Sequence, residues 1–394
     1  MLLASVLLVG CSGTLSQMSV PSDETSQVGQ NGHRLSVDTF VNHYMQSKQV
    51  SGVVVAIIRH NGPAEFHCYG VTDAKNRYPI TPDTLFALGS LSKGVTAEAI
   101  TLLVNEGRLH WDDTLAMLLP PETRLSADAK NITLLQLVTH TSGLPRQPMN
   151  LLSLEHLLAY LSDGENFYHE LDGDGALGYL STFNAPLVRE PEYSNLGYAI
   201  LGYILKYQTG ESVEALASRM IFQPLALHNT SFVPSTLRGY SRRALGHAGD
   251  QPKFKTCGAL TPDWQFSNNM VGAANLYSDA RDLIAYARAH FSPTGNPALD
   301  KAFTDVVHDY YPRQTEAANI AWVTDTIGGQ KITYQVGYIG GYSSYIGFDK
   351  ANQNAVVVLQ NSFNWSNYIG HAILQNQAAG TAYRLRHEAL KKAP

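Results

Sequence analysis

The spacing of apolar residues divides the chain into three stretches. Between Leu35 and Gln46 they fall at Leu35, Val37, Phe40, Val41 and Tyr44, the stripe of an amphipathic helix. Ser51 to Arg59 is short and β-branched, as in a buried strand. Glu65 to Val71 alternates like its hairpin partner, joined through Asn61-Gly62. From Ser90 to Gly107 the period returns to three and four through Leu91, Val95, Ala99, Leu102 and Leu103, and Gly107 provides a stop. The middle, from about Trp111 to Asn268, reads as helix and loop; its clearest helix is Asn195–Thr209, ending at Gly210. After Gly272, Ser278 is the expected cap of a helix reaching His290. Strand patterns recur at Ile320–Thr326, Lys331–Val336, Ser344–Phe348 and Ala355–Gln360, with a last helix near Ile369–Ala379. Strands at both ends around a helical middle predict an α/β (α+β) fold. One antiparallel sheet, flanked by helices, is assembled from both termini and carries an inserted all-helical domain. The expected division is residues 1–33 as signal and tether, 34–110 with 270–394 as the sheet domain, and 111–269 as the helical domain.

Composition narrows the function classes. With 44% hydrophobic and 15% charged residues, the chain of 394 residues is neither disordered nor supercharged. A net charge of −5 with scattered Lys and Arg offers no basic face for nucleic acid. Three cysteines without CxxC spacing make neither a disulfide scaffold nor a zinc site, and the 14 histidines form no HExxH. Asp172-Gly173-Asp174-Gly175 opens like a calcium loop but lacks a glutamate at the twelfth place. No metal and no cofactor are expected. The sequence specifies no oligomeric state.

Met1 to Gly10 is an apolar run of signal-peptide length ending in Leu8-Val9-Gly10-Cys11, which resembles a bacterial lipoprotein cleavage box. The run has no preceding Lys or Arg, unlike the usual signal. On this reading Cys11 carries lipid, and the polar, turn-rich Ser12–His33 tethers the body to the membrane. An exported, lipid-anchored protein of the cell envelope, facing the periplasm, is the expected address. Cys68 and Cys257 then either pair or sit as small buried residues.

Three segments can carry chemistry. In Ser90-Leu91-Ser92-Lys93 the residues three apart share a helical face, so Lys93 reaches the Ser90 hydroxyl. A serine becomes nucleophilic when a neighbouring base takes its proton, and lysine serves where burial or nearby cations favour its neutral form. A helix starting at the nucleophile would also turn the Ser90 N–H toward a developing oxyanion. Tyr193-Ser194-Asn195 supplies a phenol that an adjacent ammonium would hold as phenolate for proton relay, and an amide to hold a substrate carbonyl. Gln335 to Tyr342 ends a strand in glycines. It is either a hairpin or an edge where Gly337 lets substrate approach the backbone and the Tyr338 N–H becomes a second oxyanion donor. Singly, SxxK and YxN are each expected about once by chance in a chain of this length.

In order and flanking text these segments resemble the serine β-lactamase and DD-peptidase superfamily, in its class C-like branch. The resemblance rests on Phe86–Lys93, Ile132–Pro145, Tyr193–Tyr198, Gly272–Ser278 and Gly340–Ser344, and extends over about residues 34–380. It implies an active site in the cleft between a sheet domain and a helical domain. It further implies Ser90 as acylated nucleophile, Lys93 as its proton partner, Tyr193 as general base and acid, and Asn195 as a substrate-orienting amide. Ser90 and Tyr338 become the oxyanion donors, and His140-Thr141-Ser142-Gly143 a structural signature. One departure stands out. Class C β-lactamases carry Lys-Thr-Gly where this chain has Gln335-Val336-Gly337, which removes a charge-assisted contact worth about 1.5–3 kcal/mol to a substrate carboxylate. The expectation is a serine hydrolase of an ester, an amide or a D-amino-acid peptide. The alternatives are a true β-lactamase or DD-carboxypeptidase, or a non-catalytic penicillin-binding protein of the envelope.

Overall fold

A computed structural model describes residues 36–148, 151–313, 316–364 and 369–375. The apolar start, Cys11, the tether, and the end of the last expected helix lie outside the described residues.

The chain enters through helix α1 (Val37–Lys48), whose Ser36 cap accepts the Thr39 N–H. Strands β1 (Gly52–Ile58) and β2 (Glu65–Gly70) follow, then the buried helix α2 (Ser92–Asn105). The chain is then mainly helical, with α3 (Leu134–Val138), α4 (Leu151–Asp163) and α5 (Asn195–Thr209). Helices α6 (Ala280–Ala289) and α7 (Pro297–Val306) lead back to β3 (Glu316–Ala318), β4 (Val323–Ile327), β5 (Gln330–Ile339), β6 (Tyr342–Asp349) and β7 (Asn354–Gln360). Residues 369–375 are helical.

The seven strands form one antiparallel sheet in the order β2-β1-β7-β6-β5-β4-β3, so strands from the two ends of the chain meet at β1 and β7. Alternation explains how β1 is buried along its whole length. Val53, Val55 and Ile57 face a core shared with α1 and the terminal helix, while Val54, Ala56 and Ile58 face the larger core on the other side. Helix α2 lies within that larger core, with twelve buried residues, which is why its sequence is apolar on nearly every side.

Several local expectations change. Helix α6 is capped by Asp279, whose carboxylate accepts the Asp282 N–H at 2.9 Å; the Ser278 hydroxyl instead lies 2.7 Å from Thr230. Helix α7 went unread, although Asn296 caps it and Leu299, Ala302, Phe303 and Val306 make its buried stripe. The strand expected from Ile320 starts at Val323, because Ala321 adopts the left-handed φ of 63°. Strand β5 runs past Val336 and Gly337 to Ile339, and Gly340-Gly341 turn it into β6 as the expected hairpin. Cys68, half-buried on β2, and the exposed Cys257 are both free thiols.

Candidate active site

Ser90 does not open the helix. It sits in a 3-10 turn, Gly89–Leu91, that feeds α2 at Ser92. Glycine is required on both sides of this turn. Gly89 has φ 55°, and a Cβ there would stand 2.8 Å from the Tyr338 carbonyl oxygen and 3.0 Å from its nitrogen. A Cβ on Gly337 would reach within 1.9 Å of the Leu88 carbonyl oxygen. The nucleophile turn is therefore laid backbone to backbone on β5. Gly337 serves that approach and not, as expected, the approach of substrate. Hydroxyls fasten the contact: Ser344 donates to Leu88 O at 2.8 Å and Ser92 to Gly89 O at 2.6 Å.

Three side chains converge on one oxygen. Lys93 Nζ lies 3.0 Å from Ser90 Oγ and donates to Ala273 O at 2.9 Å, and the Tyr193 hydroxyl donates to Ser90 Oγ at 2.5 Å. Burial and, after it, the nearby Arg146 guanidinium push the Lys93 pKa well below that of a free amine. Burial also pushes Tyr193 up to about 12, against the opposing pull of Arg146 and the Ser90 hydrogen bond. Burial thus draws the Lys93 amine toward the neutral form that a base needs and works against the phenolate expected at Tyr193. A neutral amine can accept the serine proton and a phenol can donate one, so the triangle holds both a base and an acid.

Tyr193 and Asn195 flank Ser194, the cap of α5, whose hydroxyl accepts the Gly197 N–H at 2.9 Å. The loop after α3 holds this triplet. His140 Nδ1 accepts the Ser194 N–H at 3.1 Å, Pro145 O accepts the Ser194 hydroxyl at 2.7 Å, and Arg146 O accepts the Asn195 N–H at 3.0 Å. The His140 ring packs 4.6 Å from Tyr193, and burial with the Lys93 and Arg146 charges pushes its pKa down to about 3. It is a neutral acceptor that supports the phenol.

Ser90 lines two adjoining cavities. Asn195, Tyr338 and Arg146 line the first, against a wall of Tyr168, Trp264 and Phe266. The second holds Lys93, Gln335, Asn319 and Trp322. Gln335 is only 6% exposed: its Nε2 donates to Ala321 O at 3.2 Å and its amide lies against Gly94. Its Oε1 has no hydrogen-bond partner among the described residues. Trp264, read as packing, is both buried and a cavity wall. Arg146 and the Ala273 carbonyl were missed; the signal for Arg146 was its place directly after the Ile132–Pro145 segment. Asp172, weighed as a calcium ligand, accepts backbone N–H groups of Ser267, Asn268 and Met270 and so pins the loop that brings Met270 to the cavity.

The family model described as Beta-lactamase matches residues 37–380, so the chain belongs to the Beta-lactamase family. It is 24% identical over 344 residues to the D-alanyl-D-alanine-carboxypeptidase/endopeptidase AmpH of Escherichia coli K12, covering 83% of each chain. It is 25% identical over 382 residues to a Beta-lactamase of Pseudomonas fluorescens, covering 86% of this chain and 98% of that protein. The crystal structure of the class C beta lactamase from Rhodobacter sphaeroides matches with a TM-score of 0.73 over 88% of this chain and 99% of that one, at 21% identity.

Proposed function

We propose that this protein hydrolyses esters, amides or D-amino-acid-containing peptides through an acyl-enzyme on Ser90. The observation that carries the reading is the convergence of the Lys93 amine and the Tyr193 phenol on Ser90 Oγ at the mouth of an open cavity. Oγ attacks the carbonyl carbon while its proton passes to neutral Lys93. The N–H groups of Ser90 and Tyr338 hold the oxyanion, and Asn195 orients the substrate amide. Collapse breaks the bond to the leaving group, which takes the Tyr193 proton. The acyl-enzyme then holds a tyrosinate beside an ammonium, which stabilise each other. Water attacks the ester, gives its proton to Tyr193, and Oγ departs with the proton from Lys93, restoring both groups.

Gln335 and Val336 leave β5 without the cation and hydroxyl that hold a carboxylate in class C β-lactamases, which favours substrates whose leaving side is uncharged. The names of the relatives favour a second reading, hydrolysis of β-lactams or of D-Ala-D-Ala ends. A panel of chromogenic esters, D-aminoacyl amides and β-lactams decides between them. We expect a burst of product with the esters or amides, β-lactams turned over more slowly, and complete loss in Ser90→Ala. Absence of turnover and of covalent labelling across all three classes would end the hydrolase reading and leave a binding protein. The proposal extends to the cell envelope through lipid on Cys11, supported by Leu8-Val9-Gly10-Cys11 and the polar tether. Fatty-acid labelling of the cells, lost in Cys11→Ser, tests it.

A further inference from the structure

The cation missing from β5 has a counterpart across the cleft. Arg146 lies half-buried on the loop after α3, with its guanidinium carbon 5.0 Å from the centre of the Tyr193 ring. It lines the same cavity as Ser90 and Asn195. Among the described residues lining the two cavities, Arg146 and Lys93 are the arginine and the lysine, and Lys93 lies against Ser90 Oγ and Ala273 O. The rest of the wall beside Arg146 is Tyr168, Trp264, Phe266 and Met270, of which the last three are buried. Trp264 is held there by its Nε1 donating to Gly164 O at 2.8 Å, and Met270 by the Asp172 clamp on its backbone. The arrangement is a fixed aromatic slot with one guanidinium beside it.

We propose that this slot is a subsite for an anionic substituent of the substrate, a carboxylate carried on a flat or apolar body, with Arg146 as the residue that selects it. The inference rests on the hydrolase reading for its catalytic consequence but not for binding. A guanidinium presents paired N–H donors that match a carboxylate, and the low-dielectric aromatic wall strengthens the pairing while burying the apolar body. Charge selection is thereby placed on the Asn195 side of the nucleophile, opposite the Gln335 side. The ligand class follows: the leaving side is uncharged, and the group lodged beside Asn195 and Arg146 bears the negative charge. Arg146 has a second, structural contribution that the proposal does not use. Its backbone carbonyl accepts the Asn195 and Leu196 N–H groups, a contact that changing the side chain leaves in place.

Binding is measured first, in Ser90→Ala so that no chemistry intervenes, by quenching of tryptophan fluorescence with glutaric acid monoanilide and with its uncharged primary amide. We expect the carboxylate to bind about 10- to 100-fold tighter than the amide, the range of one charge-assisted pairing, and the preference to vanish when Arg146→Gln is added. Arg146→Lys keeps the charge without the fork and should retain part of the preference; a melting curve for each variant establishes folding. Turnover is measured second, with p-nitrophenyl butyrate and p-nitrophenyl hydrogen glutarate. Wild type should favour the charged ester in kcat/KM by a similar factor, mainly through KM, and Arg146→Gln should bring the two esters level. A purely structural Arg146 would lower both esters equally, and that result overturns the proposal. So does equal binding of acid and amide, or a preference that survives Arg146→Gln in a folded variant. Failure to cleave either ester while the carboxylate still binds selectively would sink the hydrolase reading and leave the subsite standing.

Discussion

Lys93 and Glu98 lie five residues apart on the same buried helix, and both ionisable side chains are withdrawn from solvent, at 2% and 0% exposure. Their surroundings differ in kind. Lys93 Nζ meets one carbonyl and one hydroxyl, and the hydroxyl is at the mouth of a cavity. The Glu98 Oε1 is sealed in: it receives the Tyr286 hydroxyl at 2.6 Å and Trp322 Nε1 at 3.3 Å, and lies 2.9 Å from His290 Nε2. His290 and Trp322 in turn pack against Phe348 of β6, so this cluster ties α2 and α6 to the sheet. Burial alone does not mark a reactive group. What distinguishes the lysine is its place beside Ser90 at a cavity, whereas the glutamate gathers three partners on its Oε1 and is closed off.

Replacing each residue in turn separates the two roles. Lys93→Met should lower kcat/KM by about 10²- to 10⁴-fold, the usual contribution of a positioned base, measured with a chromogenic ester. The same variant should be more stable than wild type at neutral pH. The Lys93 pKa in the fold lies below its unfolded value near 10.5, so the unfolded chain binds more protons between those two values and stability rises with pH across that interval. Methionine removes the penalty. A Lys93→Met enzyme that melts lower than wild type would place the lysine with the glutamate as a structural group.

Glu98→Ala should act in the opposite sense. Leaving three buried polar partners without their acceptor costs about 3–5 kcal/mol in urea unfolding, while the folded fraction keeps kcat/KM within about tenfold of wild type. A large loss of kcat in fully folded Glu98→Ala would show that the Trp322 wall reports directly to the nucleophile. The smallest effect concerns pH. In wild type kcat/KM should fall on the acid side as Lys93 takes up a proton, and Tyr193 should contribute no alkaline limb until pH approaches about 12. Arg146→Gln removes the charge that adds to the depression of Lys93, so the acid limb should move to higher pH, as a pH series of the neutral ester would record.

Element types were legible wherever the periodic pattern was long. Asn195–Thr209 was read to the residue because Ser194 and Gly210 punctuate it chemically, one by capping with its hydroxyl and the other through φ 72°. Boundaries failed where tertiary contacts overrode local preference: at Ala321, held in a left-handed turn whose carbonyl receives Gln335, and at Ser278, which lost the cap to Asp279. The candidate site was legible as residue types, since Ser90, Lys93, Tyr193 and Asn195 announce their chemistry in short segments. Gln335 was legible as a neutral residue, but its packing against Gly94 was not readable, and Arg146 was passed over although it directly follows the Ile132–Pro145 segment.

By itself the sequence determined the antiparallel sheet drawn from both ends, the candidate nucleophile with its candidate proton partners, and the neutral residue on β5. These depend on local periodicity and on side-chain chemistry, which neighbours in the chain already specify. The tertiary structure alone decided which way burial shifts Lys93 and Tyr193 and which groups meet in the cleft. Protonation follows from desolvation and from charges distant in sequence, as with Arg146 acting on Lys93 from 53 residues away. The meeting of loop, helix cap and strand that sets Arg146 opposite Gln335 exists only once the chain has closed around the nucleophile.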